Sequence, residues 1–229
     1  MGFEKQLGVS LGDVSEKFAV PWIPSQTGPA SMILNTSIKY WPAEYHSQSA
    51  IEAALFLREQ IDNVSQIASV VIESHDAAVD IIGSEPEKWK PETRETADHS
   101  LPYITAVALI DGEVTEAQFQ PARFADPSIW KFLENVRVER NGELTGIYPQ
   151  GVANIVHVTL KNGRTLTKRI DYPIGNAKNP VSDVELEGKF LRLVRPALGR
   201  DHCAKILEHI WALDQQRDVH HLMKLLRMP

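Results

Sequence analysis

The chain has 229 residues, 43% of them hydrophobic and 24% charged, which is enough apolar material for a sizeable core and too ordinary a balance for wholesale disorder. Its formal net charge is −6 and its pI about 5.8, the wrong sign for a general attraction to nucleic acid or an acidic membrane. Cys203 is the only cysteine, which excludes an internal disulfide, a zinc knuckle and a redox pair, and suits a reducing cytoplasm.

Residues 1–30 are rich in Gly, Ser and Pro without clear periodicity and read as an irregular lead-in. Their first residues lack the apolar core of a secretory signal. Met32–Ile38 is a strand candidate ending at a Lys39-Tyr40-Trp41-Pro42 turn. Pro42 then fits the first position of a helix running to about Ile61, where its missing N–H is harmless. Val64–Glu73 reads as a strand, Asp76–Ile82 as a short helix closed by Gly83, and Glu85–Lys90 as a charged loop. Asp98–Ile110 is expected to be one helix with a polar start and an apolar body, too short and too interrupted to span a bilayer. Short helices at Thr115–Phe119 and Pro127–Leu133 follow, then a strand at Val136–Arg140. Alternating Ile155, Val156, Val158 and Leu160, an Asn162-Gly163 turn, then Leu166 and Ile170 predict a β-hairpin over Asn154–Leu160 and Arg164–Tyr172. Helices at Val181–Leu198, His202–Leu213 and Val219–Leu226 close the chain, and the whole suggests an α+β class.

Two polar clusters sit where elements start or stop. In Lys39-Tyr40-Trp41-Pro42-Ala43-Glu44-Tyr45-His46, an ammonium beside a helix N-terminus favours a bound carboxylate, and His46 can move a proton near neutral pH. In Arg94-Glu95-Thr96-Ala97-Asp98-His99-Ser100-Leu101-Pro102-Tyr103, an imidazole, a hydroxyl and a phenol crowd a helix start with Arg94 just outside. On pattern alone, capping and packing account for both clusters at least as well: Glu44 or Ser100 as a cap, Lys39 solvated, His46 on the surface. Elsewhere the residues point to structure. His202, His220 and His221 lack matched acidic or cysteine spacing for a metal. Gly8, Gly12 and Gly28 form no phosphate loop, no GxSxG elbow occurs, and basic residues do not interleave with aromatics as in a nucleic-acid module.

Taken together, the clusters change this balance. Lys39 to Ala50 resembles the K-x-x-P-A-E-[FY]-H-x-Q-x-A segment of the MmgE/PrpD family. Thr93 to Tyr103, running into Ala106-Val107-Ala108-Leu109 and Asp111-Gly112, resembles its second hallmark. Tyr172-Pro173-Ile174-Gly175-Asn176-Ala177-Lys178-Asn179-Pro180, with Lys189-Phe190 downstream, is similar to a third. Order and spacing fit from about residue 30 to the C-terminus.

That resemblance implies the smaller α+β domain of the family fold over 31–180, followed over 181–229 by helices that return to a large helical domain in full-length relatives. The resemblance places the family's large helical domain upstream, and this chain is expected to lack it. The implied activity is that of a partial lyase, 2-methylcitrate-dehydratase-like, dehydrating a small di- or tricarboxylic hydroxy acid and inactive without the helical half. A non-catalytic, self-associating remnant is the alternative. By resemblance, Lys39 binds substrate and Tyr103 lies near the site; Arg94 is a second candidate for carboxylate binding, and His46, His99 and Tyr103 are the candidates for proton transfer, in no fixed order. Decarboxylase members carry histidine where Glu44 stands, whereas bacterial 2-methylcitrate dehydratases read D-H-C-I-Q-Y where this chain has Asp98 to Tyr103. No metal or organic cofactor is implied. The expected partners are a small carboxylic acid and either a second copy or a separate helical domain, with neither nucleic acid nor membrane.

Overall fold

The computed structural model of the protein describes residues 35–227, so the lead-in 1–30 and the start of the expected strand Met32–Ile38 lie outside the described residues. The described remainder of that strand does not form one. Ile38 makes a single backbone bond, its N–H donating to the Gly175 carbonyl at 2.8 Å, because its neighbour is a turn rather than a strand.

The helix expected from Pro42 begins only at Gln48. The cause is the Gln48 carboxamide, fully buried, which gathers the preceding chain into a loop. Its oxygen accepts from the N–H groups of Tyr40 and Trp41 (3.0 and 3.1 Å), and its nitrogen donates to the carbonyls of Trp41 and Ala43 (both 3.1 Å). A 3-10 turn, Tyr45–Ser47, follows, capped by the Glu44 carboxylate, and leads into helix α1, Gln48–Arg58.

A 3-10 turn at Val64–Gln66, held by Asn63, delays the first strand to β1, Ile67–Ser74. A single α-turn, Asp76–Ala78, runs into a π-turn, Val79–Gly83, and the expected charged loop contains a helical turn, Pro86–Trp89. The helix expected over Asp98–Ile110 is two helices, α2 (Arg94–Asp98) and α3 (Leu101–Asp111). The break falls at His99-Ser100 because the Ser100 hydroxyl caps the second helix, accepting from the Tyr103 N–H at 3.1 Å. Pro102 sits in its first turn and Gly112, at φ +72°, ends it in the left-handed region.

Helix α4 (Pro127–Leu133) and strand β2 (Val136–Arg140) fall where expected. Helix α5 (Gly142–Ile147), unexpected from the sequence, starts at an Asn141 cap. The hairpin forms as β3 (Asn154–Leu160) and β4 (Thr165–Ile170), with Gly163 at φ +86° in its turn. The sheet order is β2-β1-β3-β4, parallel between β1 and β2 and antiparallel elsewhere, with Val70 opposite Val136 and Val158. Val70, Ile72, Val156, Val158 and Leu160 form its buried face, against which α1 and α3 pack. Helices gathered on one face of a mainly antiparallel sheet make this an α+β fold. Every residue from Leu101 to Leu109 in α3 is buried, as an all-round apolar helix requires. Each enclosed Leu or Ile there contributes roughly 2 kcal/mol of burial.

The chain ends in α6 (Asp183–Leu198), α7 (Arg200–Trp211) and α8 (His220–Leu225). These pack mainly on one another, and α6 and α8 bury no residue. Among the described residues, no helix is long and apolar enough to cross a membrane.

Candidate functional site

A cavity of about 710 Å³ opens where four segments meet: the loop Lys39–Glu44, the α2–α3 junction at Asp98-His99, the turn Gly112–Glu116, and the face of α6 bearing Lys189, Arg192 and Leu193. Backbone bonds hold the first two segments together, because the Glu44 N–H donates to the Asp98 carbonyl at 2.9 Å. The first loop is anchored from behind by the third sequence motif. Gly175, at φ +91°, lies so close to the Ile38 carbonyl that a Cβ there would collide with it. The Asn176 amide donates to the Tyr45 hydroxyl at 2.9 Å, and the Ile174 N–H donates to the Glu52 carboxylate at 2.7 Å. Burial pushes the Glu52 carboxyl above its ordinary range, against the opposing pull of that bond.

Lys39 and His99 line the cavity. His99 Nδ1 lies 2.5 Å from the Asp98 carboxylate, a carboxylate–histidine pair that orients the ring. Arg94 stands outside the lining but forms an ion pair with Glu116, which is part of it. His46 is also outside. It sits behind Glu44, its backbone N–H donating to that carboxylate at 2.6 Å and its Nδ1 lying 3.4 Å away, so Glu44 is the group that faces the cavity. Tyr103 is fully buried, and its hydroxyl donates to the Gln118 carbonyl at 2.5 Å, just beyond the turn that lines the cavity. Burial pushes the phenol well above its ordinary range, so it stays protonated and a donor.

The sequence singles out Lys39 and His99, but leaves Glu44 as a cap, Asp98 as a motif member and Lys189 as a downstream match, and does not mark Arg192. Glu44 and Asp98 were already inside the quoted motifs. Lys189 and Arg192, three apart on one helix, share a face that sequence periodicity alone does not aim at residue 39.

Behind His46 lies a second polar group. The His75 ring, fully buried, meets the His46 ring edge-on at 5.0 Å between centroids and stacks on Tyr148 at 4.7 Å. Burial, helped by the neighbouring His46, lowers the His75 pKa to about 4, so the ring is neutral at physiological pH. Among the described residues, no group of three or more His, Cys, Asp or Glu is arranged to hold a metal.

A model of the MmgE/PrpD C-terminal domain matches residues 41–215, most of the chain and all but Lys39 and Tyr40 of the cavity lining. The chain belongs to the MmgE/PrpD family. It is 30% identical to a 2-methylcitrate dehydratase of Cupriavidus necator, over 64% of this chain and 31% of that protein. It is 29% identical to the mitochondrial 2-methylcitrate dehydratase of Yarrowia lipolytica, over 73% of this chain and 34% of that protein. A cis-aconitate decarboxylase of Mus musculus is 27% identical, over 61% of this chain and 28% of that protein. The matched segment therefore spans about a third of each relative's length.

Proposed function

We propose that this chain supplies the α+β half of a 2-methylcitrate-dehydratase-like lyase that dehydrates a small di- or tricarboxylic hydroxy acid, and that it needs the family's helical domain to turn over. The observation that carries this reading is the cavity itself, where cations meet the Glu44 carboxylate and the Asp98–His99 pair, with His46 behind Glu44. Dehydration requires a base to take the proton α to a carboxylate, an acid to protonate the departing hydroxyl, and cations to hold the carboxylates as charge builds. The electron pair of the broken C–H bond becomes the new C=C bond as the C–O bond breaks, and the hydroxyl leaves as water.

In this assignment Lys39 binds a carboxylate and Arg94 keeps Glu116 and its turn in place. His99 and Glu44 are the proton-transfer groups. His46 positions Glu44, and Tyr103 positions the turn through the Gln118 carbonyl. The partner is a helical domain on a separate chain or a longer version of this one.

The test mixes the chain with the helical domain of a 2-methylcitrate dehydratase and follows absorbance of the new conjugated double bond from hydroxy acids such as 2-methylcitrate. Turnover that Lys39→Gln abolishes is expected. No turnover across the family's substrate class overturns the lyase reading.

The terminal helices favour a second reading, a self-associating interaction domain. Ile210, Trp211 and Leu213 are 41%, 48% and 43% exposed, an apolar strip that a second copy would cover. A monomeric mass at all concentrations in sedimentation equilibrium would end it.

A further inference from the structure

We propose that Lys189 and Arg192 of α6 belong to the substrate pocket, where with Lys39 they form a three-cation cradle for the carboxylates of a small polycarboxylic acid. The proposal deepens the lyase reading and takes the ligand class from it.

Lys189 reaches across 150 positions of sequence to donate its ammonium to the Lys39 carbonyl. Arg192 sits nearly one turn further along the helix, its guanidinium over the Tyr40 ring at 5.2 Å from the centroid. Both line the same cavity as Lys39. Charge commitments decide what this cavity accepts. Of its four carboxylates, Glu116 is ion-paired with Arg94, Asp98 lies against the His99 ring, Glu44 accepts the His46 backbone N–H, and Glu113 makes no ion pair among the described residues. None of the three cations makes an ion pair among the described residues, so none has its charge neutralised by a carboxylate of the chain.

Lys189 is only partly exposed, and its ammonium has exchanged part of its hydration for one carbonyl while standing beside a guanidinium. Burial first, and the Arg192 charge second, hold it below the usual lysine range. A bound anion relieves both effects. The planar fork of Arg192 suits a bidentate carboxylate, whereas two ammonium groups act as point charges on another. An acid with two or more carboxylates therefore satisfies the cradle and a monocarboxylate does not. Lys189 also serves as a positioning residue, since its bond fixes the backbone from which Lys39 extends.

Titration of the full chain with citrate at constant ionic strength tests this, with the Trp41 indole and Arg192 side-chain N–H signals followed by NMR. Saturable shifts at both are expected, with acetate requiring about tenfold more for the same effect, in line with the loss of a charge-assisted contact. Arg192→Gln and Lys189→Gln should each raise the citrate midpoint about tenfold or more. Lys189→Arg, which keeps the charge, should recover part of it, and Lys161→Gln in the hairpin turn should change nothing. A citrate midpoint unmoved by Arg192→Gln and Lys189→Gln overturns the cradle, as does the absence of saturable shifts. The two readings separate cleanly. Citrate binding without turnover in the lyase assay leaves the cradle standing and the lyase reading fallen. Turnover with a KM indifferent to Arg192→Gln does the reverse.

Discussion

Helices α3 and α7 are of similar length, yet they solve opposite problems. In α3 every residue from Leu101 to Leu109 is buried, and the polar groups at its ends are met by Ser100 and Gly112. In α7 only Cys203 and Ile206 are buried, and Ile210 and Trp211 stand half in water. An all-round apolar helix is stable only when enclosed, so α3 had to become the centre about which the sheet and α1 assemble. An amphipathic helix needs cover on one stripe, and α7 obtains part of it from α6 and α8. The cavity lies between these two regimes. Its floor is built on the enclosed part and one wall is α6, so the contacts proposed on that wall are set by the lightly held part of the molecule.

The sharpest way to break this contrast is at its centre. Ile104→Ala should cost about 4 kcal/mol in urea denaturation, because the packed surroundings of α3 cannot collapse onto the space left. A cost below about 1 kcal/mol would mean that α3 does not organise the core. Next comes the link between core and cavity. Gln48→Ala removes four bonds to the Tyr40–Ala43 backbone and should cost about 3 kcal/mol. It should also lift hydrogen-exchange protection at the Tyr40 and Trp41 amides. Unchanged protection there would show that the loop holds its shape without Gln48.

The buried histidine behind the site gives a pH test. Folding lowers the His75 pKa from 6.5 to about 4, so the unfolded chain binds its proton first. The contribution is whole above pH 6.5 and is lost as pH falls toward 4. Between pH 6.5 and 5 that amounts to about 2 kcal/mol. His75→Asn, which can still accept from the Ala78 N–H, should remove that part of the slope. An identical slope in the variant would place the acid sensitivity elsewhere. The smallest effect belongs to the terminal helices. Ile210→Ser with Met223→Ser should change stability by less than about 0.5 kcal/mol, since both side chains are already exposed. Any self-association seen by sedimentation should fall with it, and association that persists would clear this face of a role.

Much of the fold was legible locally. The hairpin announced itself through alternation and Asn162-Gly163, and β2, α4 and the terminal helices through their periods. Two of the differences share a cause. A buried side chain overrode the local pattern at Gln48, which delayed α1, and at Ser100, which split the helix expected over Asp98–Ile110. Within the site, Lys39 and His99 were legible as cavity residues because each lies at an element boundary inside a motif. His46 and Tyr103 were legible only as motif members. Which way they face was not, since a ring can turn to the cavity or to the core with the same backbone sequence.

By itself, then, the sequence determined most of the elements, the three motifs that mark the family, and a single cysteine that cannot form an internal pair. Those follow from periodicity, turn chemistry and composition, all of which act over a few residues or over the whole chain at once. Only the tertiary structure decided that Glu44 faces the cavity with His46 behind it, that Tyr103 faces the core, and that Lys189 meets Lys39. Such choices depend on which surfaces are buried against which, and partners 150 positions apart are chosen by packing rather than by any local rule.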